Sequence, residues 1–465
     1  MLDKNAVFDV MTAAVGAGAD KAEIFVENCE RNSVAMINGL IEKANWGVDY
    51  GCGIRVIKGF GAVYAYSNNT STENLIKIAK DAAQAANDGS KGSRTGTDVF
   101  TEVMFDEINP VKILPANAKR ADIVELLREA SNASYTFNPL VTQTDGTYLA
   151  VTQNILVANS DGVWAEDRRV RTRVVVSAVA SSESEKQTGY FAPGATCGFE
   201  FFERTDMKKM GRDAAEIAVT MLKADLCPSG RMPVLIENGF GGVIFHEACG
   251  HSLEATSVAK KASVFTDKIG QQIAAPIVSA IDDGLMPNVW GSINIDDEGA
   301  LARRTVLIEN GILKSYLIDC LNGKKMGMVS TGSGRRESYK YAPTSRMTNT
   351  YIAPGNETVA QIIADTPYGL YAKKMGGGSV EPATGEFNFA VLEGYMIRNG
   401  KIAEPVRGAT LIGKGSEVLL NIDMISDNLS CAAGVCGSMS GGVPTNVGQP
   451  MIRVREMIVG GRDSD

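Results

Sequence analysis

The stretch Ile244-Phe245-His246-Glu247-Ala248-Cys249-Gly250-His251-Ser252-Leu253-Glu254 decides how this chain is read. The 465-residue protein has 2 histidines, and both fall here, with a carboxylate directly after the first. Imidazole is a good ligand for zinc and related metals, and a neighbouring Glu is the usual base for water activated by such an ion. The pattern predicts a metallopeptidase site.

The spacing sets a condition on the backbone. The common zinc-protease signature, H-E-x-x-H, puts its histidines at i and i+4 on one helix face. Here the second lies at i+5, which overshoots a full turn of a regular α-helix by roughly 140°. A π-type bulge adds one residue to a turn and brings i and i+5 back together. Gly250 is the residue most able to tolerate the distortion. A bulge or break is therefore predicted near Cys249 and Gly250. A regular helix through His251 would point the rings apart.

A catalytic zinc usually takes three protein ligands and leaves one position for water. Glu254, three residues after His251, is one candidate for the third. Cys431 and Cys436 are others, in a glycine-rich stretch read as a loop that can fold toward a buried ion. The chemistry favours a thiolate from that loop over Glu254. Cys249 sits inside the motif, where simultaneous binding is geometrically awkward.

Composition bounds the rest. The length suggests two or more domains with ample core. Hydrophobic residues are 44% and charged residues 22%, a soluble globular balance. The net charge of −8 and the lack of a basic run give a nucleic-acid partner no electrostatic support. No apolar run is long enough to span a bilayer, and the N-terminus does not read as a signal peptide. The 8 cysteines are scattered, which is no disulfide framework and suits a cytoplasmic enzyme.

Along the chain, helical spacing covers residues 4–17, Thr72 to Asn87, Asp122 to Ala130 and Thr205 to Lys223. Strand patterns cover Ala22 to Glu27, Ser33 to Ile37, Gly53 to Ile57, Gly61 to Tyr66, Tyr148 to Ala158 and Val163 to Ala180. The charges from Glu166 to Arg173 read as a solvated face of that last ribbon. Periodicity breaks at Leu226 to Pro233. The expected fold class is α+β in two domains. Residues 1–226 form an N-terminal domain of helices packed on an antiparallel sheet. Residues 232–465 form a β-rich domain carrying the metal-binding helix. The glycine-rich turn Glu237 to Gly242 lacks the Lys-Ser/Thr ending of a phosphate loop and delivers the helix close against a strand. Ser257 to Gly270 reads as a mobile flap over the site, and Gln271 to Ala280 as an extended segment. Asn310-Gly311 and Asn399-Gly400 signal hairpins, because Asn-Gly accepts positive φ at both turn positions.

The motif residues Gly241 to Glu254 resemble the signature of the TldD/PmbA (TldD/TldE) family of metallopeptidases, once called modulators of DNA gyrase. Further matches are Ile295-Asp296-Asp297-Glu298-Gly299, Gly334-Arg335-Arg336-Glu337-Ser338, Arg346-Met347-Thr348-Asn349-Thr350 and Gly434-Val435-Cys436-Gly437. Ala22 to Val26 and Gly53 to Val56 match more loosely. The resemblance implies zinc held by His246, His251 and Cys436, with Glu247 as the catalytic carboxylate. Fe2+ is an alternative occupant. The intact H-E-x-x-x-H implies a TldD-like member, since the partner subunits called TldE or PmbA lack it. It also implies a dimer, with a TldE/PmbA-like subunit or with itself. Cys249 departs from the valine often found there and reads as packing.

The expected activity is hydrolysis of peptide bonds in short or unfolded polypeptides, received as extended strands. Arg335, Arg336 and Asn349 are candidates for substrate contact, against a structural salt bridge as the simpler role for each Arg. The competing reading is a non-catalytic interaction protein, a toxin or gyrase modulator. Its metal would only tie the C-terminal loop to the helix and would have four protein ligands.

Overall fold

The computed structural model describes residues 1–86, 97, 99–381 and 384–461. Helices and strands are mixed, as expected. In the first part, five long strands form one antiparallel sheet. Their spatial order is Gly61–Ser67, Leu40–Lys58, Lys21–Ile37, Val141–Asn159 and Val163–Ser181. The two short strands expected between residues 22 and 37 are one, because Lys21–Ile37 is paired along most of its length on both sides. Its polar middle is carried by those ladders. Asn38 and Gly39, at φ 51° and 76°, turn it into the next strand.

Helices Lys4–Gly16 and Thr72–Ala86 cover one region of this sheet, packing Val10, Met11, Leu75 and Ala79 on Ile24, Val26 and Ile54. The expected last residue of the second helix, Asn87, lies outside the described residues. Arg120–Tyr135 and Met207–Lys223 cover another region. The second of these starts at an Asp206 cap that accepts from the Lys209 amide at 2.8 Å. No helix among the described residues is long and apolar enough to cross a membrane.

From Asp225–Leu226 onward the chain enters a second sheet. Strands Gly230–Ile236, Ile452–Gly460, Thr410–Lys414, Glu386–Arg398 and Tyr368–Glu381 pair in that order, and the last pairs back to the first, closing a ring. A third sheet runs Ile312–Leu313, Arg304–Glu309, Ala280–Asp283, Asn349–Ile352, Gly441–Gln449 and Ser430–Ser438. The two Asn-Gly hairpins form as predicted, with positive φ at Asn310, Gly311, Asn399 and Gly400.

The stretch read as a mobile flap is instead tied down. Phe265 is buried and its carbonyl accepts from Tyr316 Oη at 2.6 Å, while the Gly270 amide donates to Leu313 at 2.8 Å. It lacks periodicity because scattered loop bonds hold it rather than a ladder. Residues 271–279 likewise form no regular strand; one begins at Ala280.

The charged ribbon is also not simply a solvated face. Strand alternation exposes Glu166 and Arg168 but buries Asp167, Arg169 and Arg171 against the second half of the molecule. Asp167 and Arg169 join a buried ionic network between the halves, while Arg171 donates to the Trp290 and Ser292 carbonyls. Glu23 pairs with Arg55 and with Arg336, Arg55 also with Glu298, and Arg169 with Asp297, each at 2.6 Å. Removing one partner of such a group strands the opposite charge in low dielectric. Glu23→Ala, which leaves the Arg336 guanidinium without its carboxylate and Arg55 with Glu298 alone, is expected to lower unfolding free energy by about 3–5 kcal/mol, read by chemical denaturation. A change within 1 kcal/mol of zero, roughly the worth of an exposed pair, would contradict this role.

Candidate metal centre

Five residues, His246–Gly250, form a π turn between the helical turn Val243–Phe245 and the tight turn His251–Leu253. The added residue offsets the i+5 spacing, and the two imidazoles meet edge to face with centroids 5.1 Å apart. The glycines before the motif permit the placement. A Cβ on Gly242 would stand 2.6 Å from the backbone of Gly448, so only glycine lets this segment lie against strand Gly441–Gln449. The apolar side, with Phe245, Ala248 and Cys249, enters the core with Phe387, Phe389 and Leu411 of the ring.

The third element comes from far along the chain. Cys436 Sγ lies 3.1 Å from His246 Nε2 and 3.2 Å from His251 Nε2. The segment is not the loop expected but an edge strand, Ser430–Ser438, paired antiparallel with Gly441–Gln449. Its small residues and glycines conceal the alternation. Arg346, fully buried, holds the hairpin by donating to the carbonyls of Cys436 and Gly441 and to Ser440 Oγ.

Burial by itself would raise the Cys436 thiol, but the imidazoles of His246 and His251 outweigh it and push the pKa down to about 4. His251 moves the other way. Burial disfavours its cation, yet the Glu254 carboxylate, 3.2 Å from Nδ1, and the Cys436 sulfur raise it well above the ordinary imidazole value. Glu254 is thus a carboxylate behind a histidine, the usual second-layer partner of a metal-ligating imidazole. Glu247 is the most open group here, one-third exposed, with Oε2 3.7 Å from His251 Nε2.

The donor set suits a metal ion. The three ligand atoms lie within 4.8 Å of one another, and two imidazoles with a thiolate-prone sulfur match what zinc accepts. Among the described residues no fourth His, Cys, Asp or Glu joins this group.

The other candidates fall elsewhere. Cys431 sits earlier on the same strand, its thiol pushed up to about 11 by burial. Cys249 is buried in the apolar core, which fits packing. Arg336 gives Nη2 to Glu23 and to the Asp297 carbonyl and stacks on Phe25 at 4.4 Å, the structural role. Asn349 donates to the Asp283 carbonyl and Ser292 Oγ and accepts from the Gly291 amide. Fully buried and bonded at both ends of its amide, it has nothing left for a substrate. Arg335 is buried too, giving Nη1 to the Met347 carbonyl at 2.6 Å. Sequence reasoning missed Arg346 as the residue holding the sulfur's strand. A buried arginine has no sequence signal distinguishing it from a surface one.

A cleft of about 860 Å3 runs between the two halves along Cys431 to Val435, with Tyr190, Phe191 and Lys374 on its walls.

Three family profiles match the chain in succession. PmbA/TldA metallopeptidase domain 1 covers residues 22–86, the central domain 113–222 and the C-terminal domain 229–461. The Haemophilus influenzae protein named Metalloprotease TldD homolog is 34% identical, over 98% of this chain and 95% of its own. A Methanothermobacter thermautotrophicus protein named Metalloprotease is 33% identical, over 95% of each. Among solved structures, TldE from Thermococcus kodakarensis superposes with a TM-score of 0.78 at 18% identity, over 98% of this chain and 100% of that one. That likeness speaks for the fold.

Two outcomes are expected. Glu254→Gln, which keeps shape but removes charge behind His251, lowers metal affinity roughly 10–100-fold, measured by competition with a chromophoric chelator. In metal-free protein, the ultraviolet thiolate absorbance of Cys436 persists at neutral pH and disappears as pH falls through about 4. Its folded pKa lies below the ordinary 9.0, so the linked stability is complete above 9.0 and is lost as pH falls toward 4. Cys436→Ala lacks both signals.

Proposed function

The chain belongs to the PmbA/TldD family of metallopeptidases, and on that premise we propose that it is a zinc-dependent peptidase acting on short or unfolded polypeptides. The observation that carries this reading is the convergence of His246, His251 and Cys436, with the open carboxylate of Glu247 beside them. His246, His251 and Cys436 hold the ion. Zinc there supplies a Lewis acid that acidifies water and polarises a carbonyl. Glu247 accepts the proton of the attacking water at its carboxylate and passes it to the nitrogen of the leaving amine. Glu254 keeps His251 oriented. Arg346 keeps Cys436 in place.

The substrate's form is inferred from the third sheet. Its outermost strand, Ser430–Ser438, ends on the exposed stretch around Val435 and Gly437 that flanks Cys436. An extended peptide added there would be read by its main chain, next to the cleft and close to the reacting centre. This division of labour goes with two domains, 1–226 and 232–465, the second bearing the chemistry. The family resemblance implies a TldE/PmbA-like partner, or a second copy of this chain, in a dimer.

The alternative, a metal that only ties the hairpin to the helix, calls for a fourth protein ligand. Three donors with Glu247 standing free favour catalysis.

Glu247→Gln is expected to retain the metal while losing about 10²–10⁴-fold in cleavage of a disordered peptide, followed by mass spectrometry with metal content measured in parallel. Equal cleavage by both proteins would remove Glu247 from the mechanism.

A further inference from the structure

A second pocket, of about 310 Å3, lies between the two halves of the molecule. The hairpin that carries Cys436 forms one of its walls. Val435 and Pro444 face each other across that hairpin and line the pocket, whereas Cys436 and Val443 are the adjacent pair, on the opposite face. The pocket is therefore behind the metal cluster and separate from it.

Four buried arginines line this space: Arg169, Arg171, Arg335 and Arg336. Two are neutralised by protein. Arg169 has Asp297 at 2.6 Å and Asp167 at 3.3 Å, and Arg336 has Glu23 at 2.6 Å. The other two are not. Among the described residues, no carboxylate stands within 4.0 Å of Arg171 or Arg335. Arg171 gives Nε to the Trp290 carbonyl at 3.3 Å and Nη2 to the Ser292 carbonyl at 3.5 Å. Among the described residues, Arg335 gives Nη1 to the Met347 carbonyl and makes no other side-chain hydrogen bond. Yet they are 4% and 2% exposed. Unmatched charges at such depth are costly unless something compensates them. Burial pushes Arg171 down to about 9 and Arg335 to about 10; Arg169 adds repulsion at both sites, and the more distant Asp297, with Asp167 at Arg171 and Asp282 at Arg335, offsets it only in part.

We propose that this pocket is a binding site for a carboxylate-bearing ligand with an apolar body, held by Arg171 and Arg335. The planar fork of a guanidinium matches a carboxylate and can bond it through two parallel N–H groups. Leu149, Val151, Val435 and Pro444 supply an apolar wall for the rest of the molecule. Arg31, exposed, and two acidic residues also border the space. Asp297 is engaged by Arg169 and the Arg336 amide, and Glu337 accepts from the Gly442 amide at 2.7 Å. With Arg169 and Arg336 already paired, the two acids set against Arg171 and Arg335 make a monocarboxylate with an apolar body a better fit than a dianion such as phosphate. That group can be the free end of a peptide chain or a small apolar acid. The site requires neither a metal nor Glu247, so it stands or falls apart from the peptidase reading.

The test is calorimetric titration of the Glu247→Gln protein, in which turnover is suppressed. The probes are N-acetyl-leucyl-leucine with a free C-terminus, the same peptide as its amide, 4-methylpentanoate and inorganic phosphate. The free acid is expected to bind at least about tenfold more tightly than the amide. Arg171→Met in the same background should erase that difference. Because it removes an unmatched buried charge, this variant should melt no lower than its parent. If it fails to fold, the acid–amide comparison on the parent decides alone. 4-Methylpentanoate binding as tightly as the peptide acid assigns the site to small acids, and much weaker binding assigns it to chain ends. Equal affinity for acid and amide, phosphate binding tighter than either acid, or an undiminished preference in Arg171→Met each overturns the proposal.

Discussion

Everything at the centre depends on one widened turn. With regular α geometry the rings of His246 and His251 would diverge, and the sulfur of Cys436 could approach only one of them. With the π turn the edge-to-face rings share one sulfur at 3.1 and 3.2 Å. That turn is held from outside. Gly242 lies against Gly448, Gly250 leaves room for the Met347 thioether, and the core residues on either side are buried. The lost α-helical bonding is thus tolerated because packing on both faces over-determines the backbone.

The same economy of position runs through the charged interior. Asp297 and Glu298, Arg336 and the strand residues Glu23, Arg55 and Arg169 look unrelated in sequence. In space they are one network, closed at 2.6 Å in several places, and it fixes the first sheet against the loops that flank the metal centre. Asp297 shows how far it is shared. Burial alone would raise its carboxyl, but Arg169 and Arg336 beside it hold the pKa below the ordinary value. The network therefore links the two halves through ionised side chains, alongside an apolar contact in which Phe25, Ile155, Val157 and Ala165 meet Ile295 and Tyr339.

Much of this was legible in the sequence, for identifiable reasons. The i+5 spacing with glycine beside it allowed few outcomes, so the bulge could be foreseen. Two Asn-Gly turns carried their own φ requirement. Helices with strong amphipathic spacing were found to within a few residues, as at Thr72–Ala86. What could not be read were contacts set by distant partners. The strand around Cys436 has glycines and alanines where alternation would show. The polar centre of Lys21–Ile37 survives because of its neighbours on both sides. Asp167, Arg169 and Arg171 look like surface charge until Asp297 and the carbonyls of Trp290 and Ser292 are brought up to the two arginines.

The sequence separations within the metal cluster have a consequence for biosynthesis. The sulfur follows the two imidazoles by 190 and 185 residues. An emerging polypeptide carries both rings long before it carries the thiol, and the strand that braces the thiol, Gly441–Gln449, comes later still. The ring of strands beneath also closes only with Ile452–Gly460. A ribosome-bound chain therefore carries both imidazoles but lacks the third donor until residue 436 has been added, and the three-residue cluster can form only after that strand has paired.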